Sequence, residues 1–140
     1  MLSCTKRATS IAKGERKKPL PILAFDVEHV KIVAEVTEAA EKLARKFWPG
    51  PLTIVLKKKP LLPQMVTFGR DTVGLRAPNH SVALELLRRC DGLLIGTSAN
   101  ISGKKSTATA EEAANQLGGK VDLILDGGRT RLRKGSTVIN

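Results

Sequence analysis

The chain has 140 residues, enough for one domain that buries roughly two-thirds of the surface its unfolded form exposes. Hydrophobic residues make up 41% and aromatic residues only 3%, with no tyrosine, so an aliphatic core is expected and intrinsic disorder is excluded. Lys and Arg number 24 against 13 acids, and the net charge of +11 favours a polyanionic partner, nucleic acid or a phosphorylated small molecule.

No stretch is apolar for long enough to cross a bilayer, and no signal peptide is visible. Cys4 and Cys90 stand far apart without metal-ligand spacing and read as free thiols of a cytoplasmic protein. In chain order, KGERKKPLPILAF gives a basic loop, two prolines that forbid helix, and a short strand around residues 21–25. Asp26 caps a helix running to about Val36, with Val30 and Val33 on one face. Thr37 caps a second helix in which Ala39, Leu43 and Phe47 recur at spacing four. Pro49, Gly50 and Pro51 end it, and LTIVLK follows as a strand.

TVGLRA at 72–77 is a strand that stops at Pro78, after which Ser81 caps a helix with Val82, Leu86 and Leu87 inward. The apolar run of GLLIGTS reads as a buried strand. Thr109 with Glu112 forms a capping box opening a helix to about Leu117. VDLILDGG reads as a strand entering a glycine turn, and STVIN as a last strand. Strands alternate with helices, so the fold class is α/β with a mixed sheet, in one domain over residues 1–140.

His29 and His80 are isolated, and no zinc spacing, serine elbow or glycine-rich phosphate loop occurs. The candidates for chemistry are instead small donors and cations near strand ends. Ser98 and Asn100, with Ser102 close by, lie at the carboxyl end of a buried strand, where open α/β sheets bind ligands. They suit a phosphate or carboxylate, and equally a plain polar turn. Arg76, at a strand end, is either a surface charge or a bidentate clamp for an anion. Lys13 and Arg16 either solvate their loop or close over an anion, and Ser136 and Thr137 open the last strand. The residues alone lead to a basic α/β domain that binds a phosphorylated anion.

FWPGPLTIVL at 47–56, VGLRAP at 73–78, GTSANISG at 96–103, TAEEAANQLGGKVDLILDGG at 109–128 and STVIN at 136–140 together resemble the YrdC family of threonylcarbamoyl-adenylate synthases. The resemblance implies a twisted mixed sheet with flanking helices and a concave, positively charged face. It implies an enzyme, a nucleotidyltransferase that joins L-threonine, bicarbonate and ATP into threonylcarbamoyl-adenylate and pyrophosphate, with Mg²⁺ bridging phosphates. A partner complex then modifies adenosine 37 of tRNA. On the family's pattern Ser98 and Asn100 contact nucleotide, Arg76 meets the threonine carboxylate, and Ser136 and Thr137 face the same cleft. Lys13 and Arg16 stand where the family keeps a Lys-x-Arg pair for ATP phosphates. The spacing Lys-Gly-Glu-Arg is one residue wider, which makes Lys17 an alternative.

The family's Thr-x-Thr-x-Tyr-Gly-Leu block and the late arginine strand have no counterpart here, so the chain is expected to be a family core trimmed at both ends, without the first strand–helix segment. A sheet edge left open would favour a homodimer. Two other functions remain open: a non-catalytic module binding double-stranded RNA or tRNA, and a piece of a hydrogenase-maturation carbamoyltransferase.

Overall fold

Five segments are extended: β2 (Leu52–Lys57), β3 (Thr72–Arg76) and β5 (Thr137–Ile139), which mix aliphatic with small or polar side chains, and β1 (Ile22–Ala24) and β4 (Leu93–Ile95), which are short apolar runs. In the computed structural model, which describes residues 19–130 and 136–140, they form one sheet in the order β4-β1-β3-β2-β5. The β1–β3 and β2–β5 pairs are parallel, and β1–β4 and β2–β3 antiparallel, so the sheet is mixed as expected. Lys13, Arg16, Lys17 and Cys4 lie outside the described residues. Cys90 is a free thiol. Among the described residues, no helix is long and apolar enough to cross a membrane.

Period two sorts the strands into two faces. Ile22, Ala24, Leu52, Ile54, Leu56, Val73 and Leu75 point one way, onto Val30 and Val33 of α1 (Val27–Val33) and Ala40 and Ala44 of α2 (Glu38–Phe47). The other face carries Leu23, Thr53, Val55, Thr72, Gly74 and Arg76. The two helices thus cover one face and leave the second for a ligand.

The helix starts follow the sequence where a side chain can cap. Thr37 Oγ1 accepts from Ala40 N–H at 3.2 Å, and Thr109 Oγ1 from Glu112 N–H at 3.2 Å. The Glu112 carboxylate reaches back to Ala108 N–H at 2.7 Å, one residue short of a standard capping box, and opens α5 (Ala110–Leu117). Asp26 Oδ1 accepts His29 N–H at 3.0 Å and lies 2.6 Å from Nδ1 of the same ring.

Burial raises the Asp26 carboxyl pKa, but the hydrogen bonds from the His29 ring and backbone outweigh it and hold the group below its ordinary value. A depressed carboxyl stabilises the fold above its unfolded pKa, and that contribution is lost as pH falls through the folded value. Asp26→Asn keeps a capping oxygen and removes the titration. Urea melts between about pH 2 and pH 7 should show a shallower acid loss of stability in the variant than in the parent. Parallel acid limbs would show that Asp26 does not contribute.

Several expectations are corrected. The first helix ends at Val33, because Ala34 bridges Lys58 and Glu35 N–H bonds Lys57 O at 2.8 Å, extending the edge of β2 instead. The buried stripe of α2 is Ala40 and Ala44 with Leu43 beside it. Ala39 is exposed, and Phe47 is 46% exposed under the Lys46 ammonium. Small residues let this helix lie close on the sheet, which the larger side chains do not.

After the single turn of α3 (Gln64–Thr67), Ser81 is the first residue of α4 (Ser81–Arg89), not its cap; His80 stands there without a capping bond, its Nε2 lying 3.3 Å from Gly127 O instead. Only Leu87 of that helix is buried, while Val82 and Leu86 remain open. β4 is an edge strand, half-buried at Leu94 and Ile95 rather than fully enclosed. Residues 121–128 form no strand among the described residues, and Leu123 is 72% exposed. Their far end is held by an Asx turn, Gly128 N–H to Asp126 Oδ1 at 2.8 Å, and by the His80 ring against Gly127 O at 3.3 Å.

Candidate functional site

The proline-rich turn after α2 fixes one end of the open face. Trp48 Nε1–H donates to Leu52 O at 2.7 Å, and Gly50 N–H donates to Ala77 O at 2.9 Å. Any Cβ on Gly50 would strike the Phe47 carbonyl, so this turn accepts only glycine. FWPGPLT and LRAP are therefore one structural unit, and it anchors the end of β3 where Arg76 stands.

Arg76 is the last residue of β3 and is half-buried, its side chain on the open face opposite Leu75. Its Nε is buried and has no hydrogen-bond partner. Desolvating a guanidinium donor without pairing it is costly, so this atom points to a ligand acceptor. The ladder that pairs Ile54 with Leu75 sets Thr53 beside Arg76.

Next to that pair lies a cavity of about 290 Å³. Thr53 and Val55 of β2, Thr72 and Gly74 of β3, Pro19, Leu20 and Pro21 before β1, and Ser136 and Val138 around β5 line it, with Arg70 as its cation. Thr53 Oγ1 and Ser136 Oγ are 2.7 Å apart. The arrangement is a slot of hydroxyls and aliphatic walls with guanidinium groups nearby, which suits a small amphipathic anion.

Ser136 and Thr137 part company here. Thr137 is in register with Leu52, which faces the helices, whereas Val138 is in register with Thr53 on the open face. Alternation therefore brings Ser136 to the cavity and turns Thr137 away, correcting the expectation that both face one cleft.

GTSANIS continues from β4, beside β1, at the far end of the same face. Gly96 N–H bonds Pro21 O at 2.9 Å, and a Cβ at Gly96 would lie 2.9 Å from Leu23 Cγ, so the loop leaves the sheet in close contact. Ser98 and Ser102 are exposed. Asn100 Nδ2 donates to Ile101 O at 3.0 Å and Lys104 O at 2.9 Å, while its Oδ1 is buried without a partner. Gln116 ties the loop to α5, accepting Ile101 N–H at 3.0 Å and donating to Lys105 O at 3.1 Å. The Asn100 donors thus build the loop, and its acceptor oxygen is what remains for a ligand.

Lys31, Lys42, Arg45, Lys57, Arg88 and Arg89 are each paired with a carboxylate. Among the described residues Lys46, Lys58, Lys59, Arg70, Arg76, Lys104, Lys105, Lys120 and Arg129 are not, so uncompensated positive charge is spread over the surface, and Arg70, Arg76, Lys104 and Lys105 bring part of it to the cavity and the loop. Among the described residues no cluster of three His, Cys, Asp or Glu side chains could hold a metal ion.

The sequence pointed to Arg76, Ser98, Asn100 and Ser136 but not to Thr53, Arg70, Thr72 or Gly74. Period two gives Thr53, Thr72 and Gly74 a common face once the β2–β3 register is known, and that register is not written in either strand alone; Arg70 precedes β3 and reaches the cavity from the loop.

The sequence profile of the Sua5/YciO/YrdC family, described as telomere recombination, matches residues 3–140. The chain is 44% identical over 131 residues to the threonylcarbamoyl-AMP synthase of Pyrococcus abyssi, covering 92% of itself and 38% of that protein. It is 40% identical over 134 residues to a putative threonylcarbamoyl-AMP synthase of Methanocaldococcus jannaschii, covering 96% of itself and 62% of that protein. The structure of P. abyssi Sua5 complexed with L-threonine superposes with a TM-score of 0.90 at 41% identity, over 96% of this chain and 40% of that one. The chain therefore spans less than two-thirds of the length of these relatives, and over that span it belongs to the Sua5/YciO/YrdC family.

Proposed function

We propose that the open sheet face joins L-threonine, bicarbonate and ATP into L-threonylcarbamoyl-adenylate and pyrophosphate, the activated intermediate for the threonylcarbamoyladenosine at position 37 of tRNA. The observation that carries this is the buried, unpartnered Nε of Arg76, a residue set in the ladder beside Thr53, which lines a hydroxyl-bearing cavity. It lies in a chain 41% identical to a protein whose structure holds L-threonine.

In this reading Arg76 clamps the threonine carboxylate, with Ser136 across the slot. The nucleotide lies toward Ser98 and the free Oδ1 of Asn100. Lys13 and Arg16, outside the described residues, meet the phosphates with Lys104 and Lys105. The threonine amine adds to carbon dioxide derived from bicarbonate and loses a proton, giving a carbamate. A carbamate oxygen then attacks the α-phosphorus, and the bond to the β-phosphate breaks to release pyrophosphate.

No side chain need act as nucleophile. The protein brings together anions that repel one another and offsets the repulsion with fixed cations and N–H donors, which is positioning and electrostatic work. Magnesium, if carried on the phosphates, would supply further neutralisation there. The chain would act in the cytoplasm, with tRNA served through a partner complex.

The test is pyrophosphate release from ATP with bicarbonate and Mg²⁺, with and without L-threonine. Threonine-dependent release is the expected result. No release, together with duplex RNA binding that weakens steeply with salt, would make the chain the RNA-binding module instead.

A further inference from the structure

On the open face Thr53 is a buried polar residue, 7% exposed, between the aliphatic Leu52 and Ile54. A hydroxyl there is costly unless it is hydrogen-bonded. Its partner is Ser136 Oγ, 2.7 Å away. The Thr53 methyl faces Gly74, where a built Cβ would stand 3.3 Å from Thr53 Cγ2. The rotamer is thus fixed from two sides, with the methyl against β3 and the hydroxyl toward the start of β5.

Either hydroxyl can donate in this pair, and both residues line the cavity. With Thr53 donating to Ser136 Oγ, the Ser136 hydroxyl hydrogen is left for an acceptor there. A carboxylate in the cavity selects that orientation, because it accepts from Ser136 and has no hydrogen to give back.

We propose that Thr53 is a positioning residue that fixes Ser136 as a hydrogen-bond donor toward the carboxylate-bearing substrate; the inference rests on the function proposed above. A carboxylate only accepts hydrogen bonds, so a serine locked as donor matches it, while one free to rotate does so only part of the time. Arg76, beside Thr53 in the ladder, would supply the second donor to the same group.

Calorimetric titration of L-threonine into the full chain in the presence of ATP, with kcat and KM from pyrophosphate release, tests this. Thr53→Val should raise the Kd and KM for L-threonine about 5- to 10-fold, the worth of one hydrogen bond, and leave the KM for ATP within about twofold. Thr53→Ser should restore most of the affinity, because it keeps the hydroxyl. In a Ser136→Ala background Thr53→Val should add nothing further, because the two act through one bond.

Thr53→Ser as weak as Thr53→Val would assign the effect to the methyl and overturn the proposal. So would additive losses in the Ser136→Ala background. Should Thr53→Val not fold, Thr53→Ala takes its place, and failure of both to fold would make the hydroxyl a purely structural group. A parent chain that binds no L-threonine refutes the proposed function itself, and this inference with it, before any variant is made.

Discussion

Arg76→Ala should abolish threonine-dependent pyrophosphate release, lowering kcat/KM for L-threonine by roughly 100-fold or more, the worth of a charge-assisted bidentate contact. It should do so without destabilising the fold. The Arg76 Nε is buried and unpaired, so the free protein gains nothing from it and carries its desolvation cost. A urea midpoint equal to or above that of the parent is expected, as at sites where function is kept at the expense of stability. Arg76→Lys should fail to rescue, because a point ammonium does not reproduce the planar fork. Activity within about tenfold of the parent in Arg76→Ala would remove this residue from the site.

The sequence carried the fold further than the site. All five strands were legible as such from short apolar or β-branched runs between turn residues, and the caps at Asp26, Thr37 and Thr109 named three helix starts, because those signals are local. What failed was set by partners distant in sequence. VDLILDGG has the composition of a strand but joins no ladder among the described residues, and an apolar run does not reveal that β4 ends up on an edge. The faces of α2 and α4 were misread for a related reason: spacing four admits several stripes, and the sheet chose the one with alanines.

The site divides along the same line. Arg76 and Ser136 stood out because cations and hydroxyls at strand ends are unusual in themselves. Thr53 did not, since a threonine in LTIVLK reads as ordinary β-propensity until Ser136 is brought to 2.7 Å by a pairing 83 positions away in the chain. Thr137 shows the reverse error, because a motif resemblance treated two consecutive residues as one unit although a strand sends them to opposite faces.

Leu75 is the neighbour of Arg76 and predicts the opposite outcome. It is fully buried in the middle of β3, flanked by Ile22 on one side and Ile54 on the other. Leu75→Ala should cost about 2–5 kcal/mol, the transfer of the lost carbons plus a cavity that the rigid three-strand frame cannot close. The urea midpoint should fall with the slope unchanged, since the same surface is exposed on unfolding.

At low temperature, where the variant is still folded, its kcat/KM for L-threonine should stay near that of the parent, because the deleted carbons face the helices and not the cavity. A loss below about 1 kcal/mol would show that α1 and α2 collapse onto the gap, and that the packing beneath the site is softer than Ala40 and Ala44 imply. A large fall in kcat/KM with stability intact would instead mean that the strand transmits displacement to Arg76. The division of labour between the two faces, on which the site assignment depends, would then be wrong.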